Sequence, residues 1–329
     1  MREVDVTIIG GGPVGLFAAF YAGLRGMSTR IIDSLPDLGG QLTALYPEKY
    51  VYDMPGFPKV LAKDLARMMA EQGLGFGAET LLEETAAELT ATQSGYTVRT
   101  QSGLECPTKT VIITAGAGAF TPTRIGVDRE ADFEGKGIYY GVKDKSKFSG
   151  RNLIIVGGGD SAFDWCLNLE PIAREITLVH RRDQFRAHED SIEQVKRSRV
   201  AMKLWCTVKE LHGDDALSAI TIENSQTKEQ ERLETDAVIV NIGFKSSLGP
   251  IKGWGLNIDR QQIVVNHRLE TNLPGVYAAG DVCTFDGKLK LIATGVGEAT
   301  MAVCYAKMFI DPAAKLFPGH SSEMDLPLP

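Results

Sequence analysis

Twice along this chain an apolar run leads through a glycine-rich turn into a helix-forming run. The first instance is Val4 to Ile9, then Gly10-x-Gly12-Pro13-x-Gly15, then Leu16 to Ala22. The second is Asn152 to Val156, then Gly157-x-Gly159-Asp160-Ser161-Ala162, then Phe163 to Leu167. A strand that turns on glycine into a helix gathers free N–H groups and the positive end of the helix dipole at one point, which suits a phosphate. One such turn is weak evidence, because glycine also serves any tight corner. Two in matched contexts predict an α/β chain with two doubly wound, Rossmann-like dinucleotide-binding domains.

The end of the following strand separates the two. In the first unit Arg30-Ile31-Ile32 leads to Asp33, 18 residues after Gly15, and an acid there accepts ribose hydroxyls while repelling a 2′-phosphate. In the second, Ile176 to Val179 leads to His180, 18 residues after Ala162, followed by Arg181, Arg182 and Arg186. Cations at that place favour the extra phosphate of NADP(H) through charge-assisted, bidentate bonds. Taken alone, the three arginines also fit a solvated charged face. Two nicotinamide sites would achieve nothing together, so the first unit is expected to take the adenosine half of FAD.

Between the motifs, Leu104 to Thr114 reads as a strand pair ending in Gly116, and Ala237 to Gly243 as a strand ending in glycine. These are the expected crossings. They give an FAD-binding domain over 1–116 and 244–329, interrupted by an NADP(H)-binding domain over 117–243. The late run Gly275 to Asp281 and a small-residue helix, Gly295 to Met308, complete the first domain.

Bulk properties narrow the partners. The net charge of -7 argues against nucleic acid. Five scattered cysteines, Cys106, Cys166, Cys206, Cys283 and Cys304, form no CxxC pair and no metal-ligand spacing, so no metal is expected and a reducing cytoplasm suits them. No signal-peptide pattern opens the chain and no apolar run reaches the ~18 residues of a membrane span, so a cytoplasmic protein without membrane attachment is expected.

The two glycine motifs, His180-Arg181-Arg182-x-x-Phe185-Arg186-Ala187 and the late Gly280-Asp281 resemble the two-dinucleotide-binding-domain flavoproteins. Gly40-Gln41, the segment Leu45 to Phe57 and the tail Leu316 to Ser322 are similar to the ferredoxin/flavodoxin–NADP reductases of the thioredoxin-reductase-like type. Thioredoxin reductases carry a redox-active CxxC before the second glycine motif, where this chain has Gly137-Ile138-Tyr139-Tyr140-Gly141-Val142.

The resemblance implies that Asp281 bonds the ribityl chain of FAD, that Gln41, Tyr46 and Ser321 belong to the flavin site, and that Tyr50 and His320 stack on the flavin ring. Read alone, Asp281 also fits a helix N-cap, His320 a solvated histidine and Tyr50 ordinary core. It further implies a homodimer and a ferredoxin or flavodoxin as electron partner. Lys49, Lys59, Lys143, Lys145 and Lys147 are candidates for a basic docking patch, or merely scattered solubilising charges. The expected reaction passes a hydride between NADP(H) and flavin and single electrons between flavin and carrier. Two rivals remain, an NADPH-dependent disulfide reductase using Cys166 or Cys283, and a flavin redox sensor that does not turn over.

Overall fold

The computed structural model describes residues 1–323, apart from the side chains at 119, 120, 121, 245, 246 and 321. The chain divides into two compact units, 1–120 with 246–329 and 121–245. The crossings therefore fall a few residues later than at 116 and 243. The connecting segments, Ala119–Pro122 and Phe244–Ser247, are strands paired with one another.

In the first unit the sheet runs in the order Glu79–Leu81, Thr29–Ile32, Val4–Ile9, Glu105–Ile113, Tyr96–Thr100, Ala86–Ala91. The central strands are parallel, with Val6 opposite both Thr29 and Thr110. Such strands are covered on both faces and read as continuous apolar runs, as Val6, Ile8 and Ile31, all fully buried, illustrate. The predicted strand pair at 104–114 is instead one strand, Glu105–Ile113, with three partners along its length. Its first half pairs antiparallel with Tyr96–Thr100, and its second half pairs parallel with Val4–Ile9 and Val276–Ala278.

Helix Pro13–Leu24 opens on proline, whose missing N–H would find no intrahelical partner there. It buries Leu16 completely among alanines, worth about 2 kcal/mol for that side chain. A Cβ on Gly73 of helix Ala62–Leu74 would lie 2.7 Å from the Leu16 carbonyl oxygen, so these helices approach closely. The late helix is longer than predicted, Ile292–Ile310.

In the second unit five parallel strands lie in the order Ile138–Tyr139, Ala237–Asn241, Asn152–Gly157, Glu175–His180, Ala201–Leu204. One core gathers the sheet with helices Asp160–Leu169 and Glu189–Arg197 around Phe163 and Trp165. A second gathers it with the antiparallel sheet Cys206–Gly213, Leu217–Asn224, Gln230–Glu234. Each unit thus carries its glycine turn at the carboxyl end of a central strand, where ligands of such sheets bind. No helix among the described residues is long and apolar enough to cross a membrane.

Candidate functional site

One cavity of about 700 Å³ lies in the first unit, and Gly10, Gly12, Pro13, Asp33, Gln41, Tyr46, Tyr50 and Asp281 all line it. These eight residues come from four separate stretches of sequence. The glycine turn is held in shape by Asp33, whose Oδ2 accepts the Gly11 N–H at 2.5 Å and whose Oδ1 accepts the Leu35 N–H at 2.8 Å. Burial pushes the Asp33 carboxyl above its usual range, and these two donors pull it back. Each carboxylate oxygen retains a lone pair for a ligand.

Gly15 does not line the cavity. A Cβ there would stand 1.9 Å from the Gly10 carbonyl oxygen, so the third glycine of the motif lets helix and strand pack. Across the cavity, Gly39 N–H donates to the Gly11 carbonyl at 2.8 Å, tying the loop that carries Gln41 to the turn.

Asp281 is not a helix N-cap, because the following helix begins at Ile292 with Leu291 as its cap. Instead it sits in a turn fixed from both sides. Gln262 Nε2 donates to the Asp281 carbonyl at 3.2 Å, and the Gly280 N–H donates to Glu298 Oε2 at 2.7 Å. Glu298 is paired with Lys288, and both side chains are at most 10% exposed. Burial raises the Asp281 carboxyl, opposed by Lys288 and Lys290. Burial, with Asp281 and Asp53 adding to it, pushes the Tyr46 phenol up to about 12, so it remains a neutral donor. Neither Glu298 nor Lys288 was picked out from the sequence, although a glutamate inside a small-residue helix was a visible signal.

Tyr50 is half-exposed at the cavity, with Lys59 over its ring at 4.9 Å. His320 does not reach this cavity; it is exposed and stands edge-on to Phe317 at 5.2 Å. The tail before it is tied down elsewhere. Arg25, buried at the end of helix Pro13–Leu24 away from the turn, donates to the carbonyls of Lys315 at 2.6 Å and Leu316 at 2.8 Å. The side chain of Ser321 lies outside the described residues.

In the second unit the turn and the basic loop are joined. Arg186 N–H donates to the Gly158 carbonyl at 2.8 Å, and His188 N–H to Asp160 Oδ1 at 2.9 Å. The His180 ring lies on Gly158, where a Cβ would come within 2.1 Å of it, and its Nε2 is 3.1 Å from the Gln184 carbonyl. Burial, with Arg181 and Arg182 adding to it, lowers the His180 pKa, which the Gln184 contact only partly opposes. Ser161 is exposed on the first helical turn, and Ala162 is buried beneath it, in contact range of Gly157. Arg181, Arg182 and Arg186 are exposed and have no ion-pair partner among the described residues. The turn therefore offers Gly157, Gly159 and a helix start to an anion, with three free cations beside it.

The family model of pyridine nucleotide-disulphide oxidoreductases matches residues 4–300. A ferredoxin–NADP reductase of Halalkalibacterium halodurans is 52% identical over 322 residues, covering 97% of each chain. Another, from Geobacillus kaustophilus, is 53% identical over 322 residues with the same coverage. The chain belongs to the pyridine nucleotide-disulphide oxidoreductase family, among the ferredoxin–NADP reductases.

Solved structures share this architecture. The thioredoxin reductase of T. acidophilum matches with a TM-score of 0.79 at 28% identity, over 95% of this chain and all of that one. That of Lactococcus lactis gives 0.78 at 25%, over 93% and 99%. As a pyridine nucleotide-disulphide oxidoreductase this chain is an enzyme, with the two-Rossmann-domain fold of thioredoxin reductase. Its own cysteines are all free and buried. Burial pushes the Cys166 and Cys283 thiols up to about 12, far from the thiolate that disulfide exchange requires.

Proposed function

We propose that this oxidoreductase is a cytoplasmic, homodimeric flavoenzyme that passes reducing equivalents between NADP(H) and a ferredoxin or flavodoxin, with FAD in the first unit and NADP(H) in the second. The observation that carries this reading is the opposite charge beside matched strand ends, Asp33 in one unit against Arg181 and Arg182, next to His180, in the other. The ferredoxin is the partner by which the relatives from Halalkalibacterium halodurans and Geobacillus kaustophilus are known.

The cavity's chemistry fits FAD. The turn from Gly10 to Pro13 offers the pyrophosphate a helix start, Asp33 accepts the ribose hydroxyls, and Asp281 accepts from the ribityl chain. Gln41 and Tyr46 donate along the same wall. When bound, FAD supplies two-electron exchange with NADP(H) and one-electron exchange with the carrier. Tyr50 shields the ring from water, and His320, which stands outside the cavity, joins it with Ser321 only when the tail moves from its contacts with Arg25. In the second unit Gly157, Gly159 and Ser161 hold the NADP(H) pyrophosphate, Ala162 seats the helix, and Asp160 and His180 brace the loop so that Arg181, Arg182 and Arg186 clasp the 2′-phosphate. No side-chain acid or base is needed for the transfer, so rate rests on positioning and exclusion of water.

Support for the homodimer comes from the exposed apolar side chains Phe309, Leu316 and Phe317. Lys143, Lys145 and Lys147, without ion-pair partners among the described residues, supply the local positive charge that an acidic carrier needs. The test mixes the FAD-loaded protein and NADPH with ferredoxin, flavodoxin or thioredoxin in turn, following cytochrome c reduction and disulfide cleavage. Cytochrome c reduction that depends on ferredoxin or flavodoxin supports the reading. Thioredoxin-dependent cleavage, or no turnover with any carrier, refutes it.

A further inference from the structure

The chain reverses direction across the second unit's sheet at its central strand, Asn152–Gly157. It proceeds to Glu175–His180 on one side and later returns on the other as Ala237–Asn241. Where strand order reverses, a crevice opens at the carboxyl ends of the strands. Here those ends are Gly157 and Asn241, which stand in register. They lie so close that a Cβ on Gly157 would be 2.4 Å from the Asn241 carbonyl oxygen.

Beside that crevice, the side-chain Nδ2 of Asn241 is buried and has no hydrogen-bond partner among the described residues. A buried donor left without an acceptor is costly and rare in native proteins, and an amide nitrogen has two hydrogens to place. Among the described residues the other buried polar atoms of this kind, Thr7 Oγ1 and Asn152 Oδ1, lie respectively in the first unit and at the amino end of the central strand, away from the crevice.

We propose that Asn241 Nδ2 donates a hydrogen bond to an acceptor oxygen in the nicotinamide-side half of bound NADP(H). The inference rests on the reading that the second unit takes NADP(H). The basic loop fixes the adenosine end over strand Glu175–His180, and the glycine turn takes the pyrophosphate at the central strand. The remaining half of the dinucleotide then extends over the next carboxyl end, that of Ala237–Asn241. Its acceptors, phosphate oxygen, ribose hydroxyl and carboxamide oxygen, occur equally in NADH. Asn241 therefore strengthens binding without choosing between the two coenzymes, which is the work of the arginines.

Asn241→Asp keeps the shape and removes the donor, and Asn241→Ala removes the whole group. Calorimetric titration of each FAD-loaded protein with NADP+ and with 2′,5′-ADP, which has the adenosine half only, gives the test. The account predicts NADP+ about 10-fold weaker in Asn241→Ala, and weaker still in Asn241→Asp, with 2′,5′-ADP unchanged. The NADPH-to-NADH preference in kcat/KM stays as in the wild type. Unchanged NADP+ affinity in both variants overturns the proposal, as does an equal loss for both ligands, which marks a structural role. Wild-type protein that fails to bind 2′,5′-ADP overturns instead the assignment of the second unit to NADP(H).

Discussion

The imidazole of His180 occupies the space above Gly158, so close that any side chain at 158 would have to displace it. In the first unit Asp33 stands in the same relation to Gly11, accepting its N–H at 2.5 Å. The same backbone plan thus places a carboxylate against one turn and an imidazole followed by two arginines against the other.

On the proposed reading the arginines set the preference for NADPH. Arg181→Ala with Arg182→Ala should lower kcat/KM for NADPH by about 30- to 100-fold, the cost of two charge-assisted bonds partly screened by solvent. NADH should change by less than about threefold, since it lacks the acceptor. Steady-state kinetics with both coenzymes checks this, and an equal loss for the two would remove the arginines from the 2′-phosphate.

Asp33→Asn halves the acceptor capacity of a residue that already braces the turn through the Gly11 and Leu35 N–H groups. FAD affinity should fall by about 10-fold while NADP+ affinity in the second unit is unaffected. Fluorescence titration of the stripped protein with FAD reads the effect directly.

How much of this was legible beforehand differs between the two units. Both glycine turns, and the offset from each to Asp33 or His180, were visible because a strand, a turn and a helix are local in sequence. Glu105–Ile113 is one strand where the sequence suggests a pair, and Pro107 with the polar run Thr108, Lys109, Thr110 has the look of a break. The strand continues because it changes partner there, with Pro107 opposite Thr97 on its antiparallel side and Thr108 beginning the pairing with Val4. Glu298 stands out in the sequence only as a charge inside a small-residue helix, and Lys288 not at all. Glu298 matters through its bond to the Gly280 N–H, and Lys288 through its pairing with Glu298, contacts that no periodicity reports. The placement of His320 away from the cavity follows from Arg25, whose two bonds to the tail join residues about 290 apart.

The Glu298 and Lys288 pair supports the Gly280 and Asp281 turn from below. Glu298→Ala leaves a buried ammonium without its partner and should cost about 3 kcal/mol in denaturant unfolding. The double variant Glu298→Leu with Lys288→Met should recover most of that loss while FAD affinity stays reduced, because the Gly280 N–H still lacks its acceptor. Recovery of both stability and FAD affinity would separate the pair from the flavin site.

His180 makes stability depend on pH. Its folded pKa is lowered, so as pH falls through about 6.5 the unfolded chain takes up a proton that the folded chain still refuses. The folded state therefore loses stability as pH drops from about 7 toward the depressed folded value. In His180→Gln that part of the slope disappears, and melting curves between about pH 8 and pH 5 should converge at the acid end. Parallel curves would mean that the imidazole titrates as it does in the unfolded chain.

The central claim is that the first unit holds FAD and the second delivers the reducing equivalents of NADPH to it. Anaerobic mixing of the FAD-loaded protein with NADPH, and separately with NADH, tests it most directly through the flavin's visible band. The account predicts rapid bleaching by NADPH, much slower bleaching by NADH, and loss of that preference in the Arg181→Ala, Arg182→Ala protein. A flavin band unmoved by NADPH, or bleached equally by both coenzymes in the wild type, would contradict it.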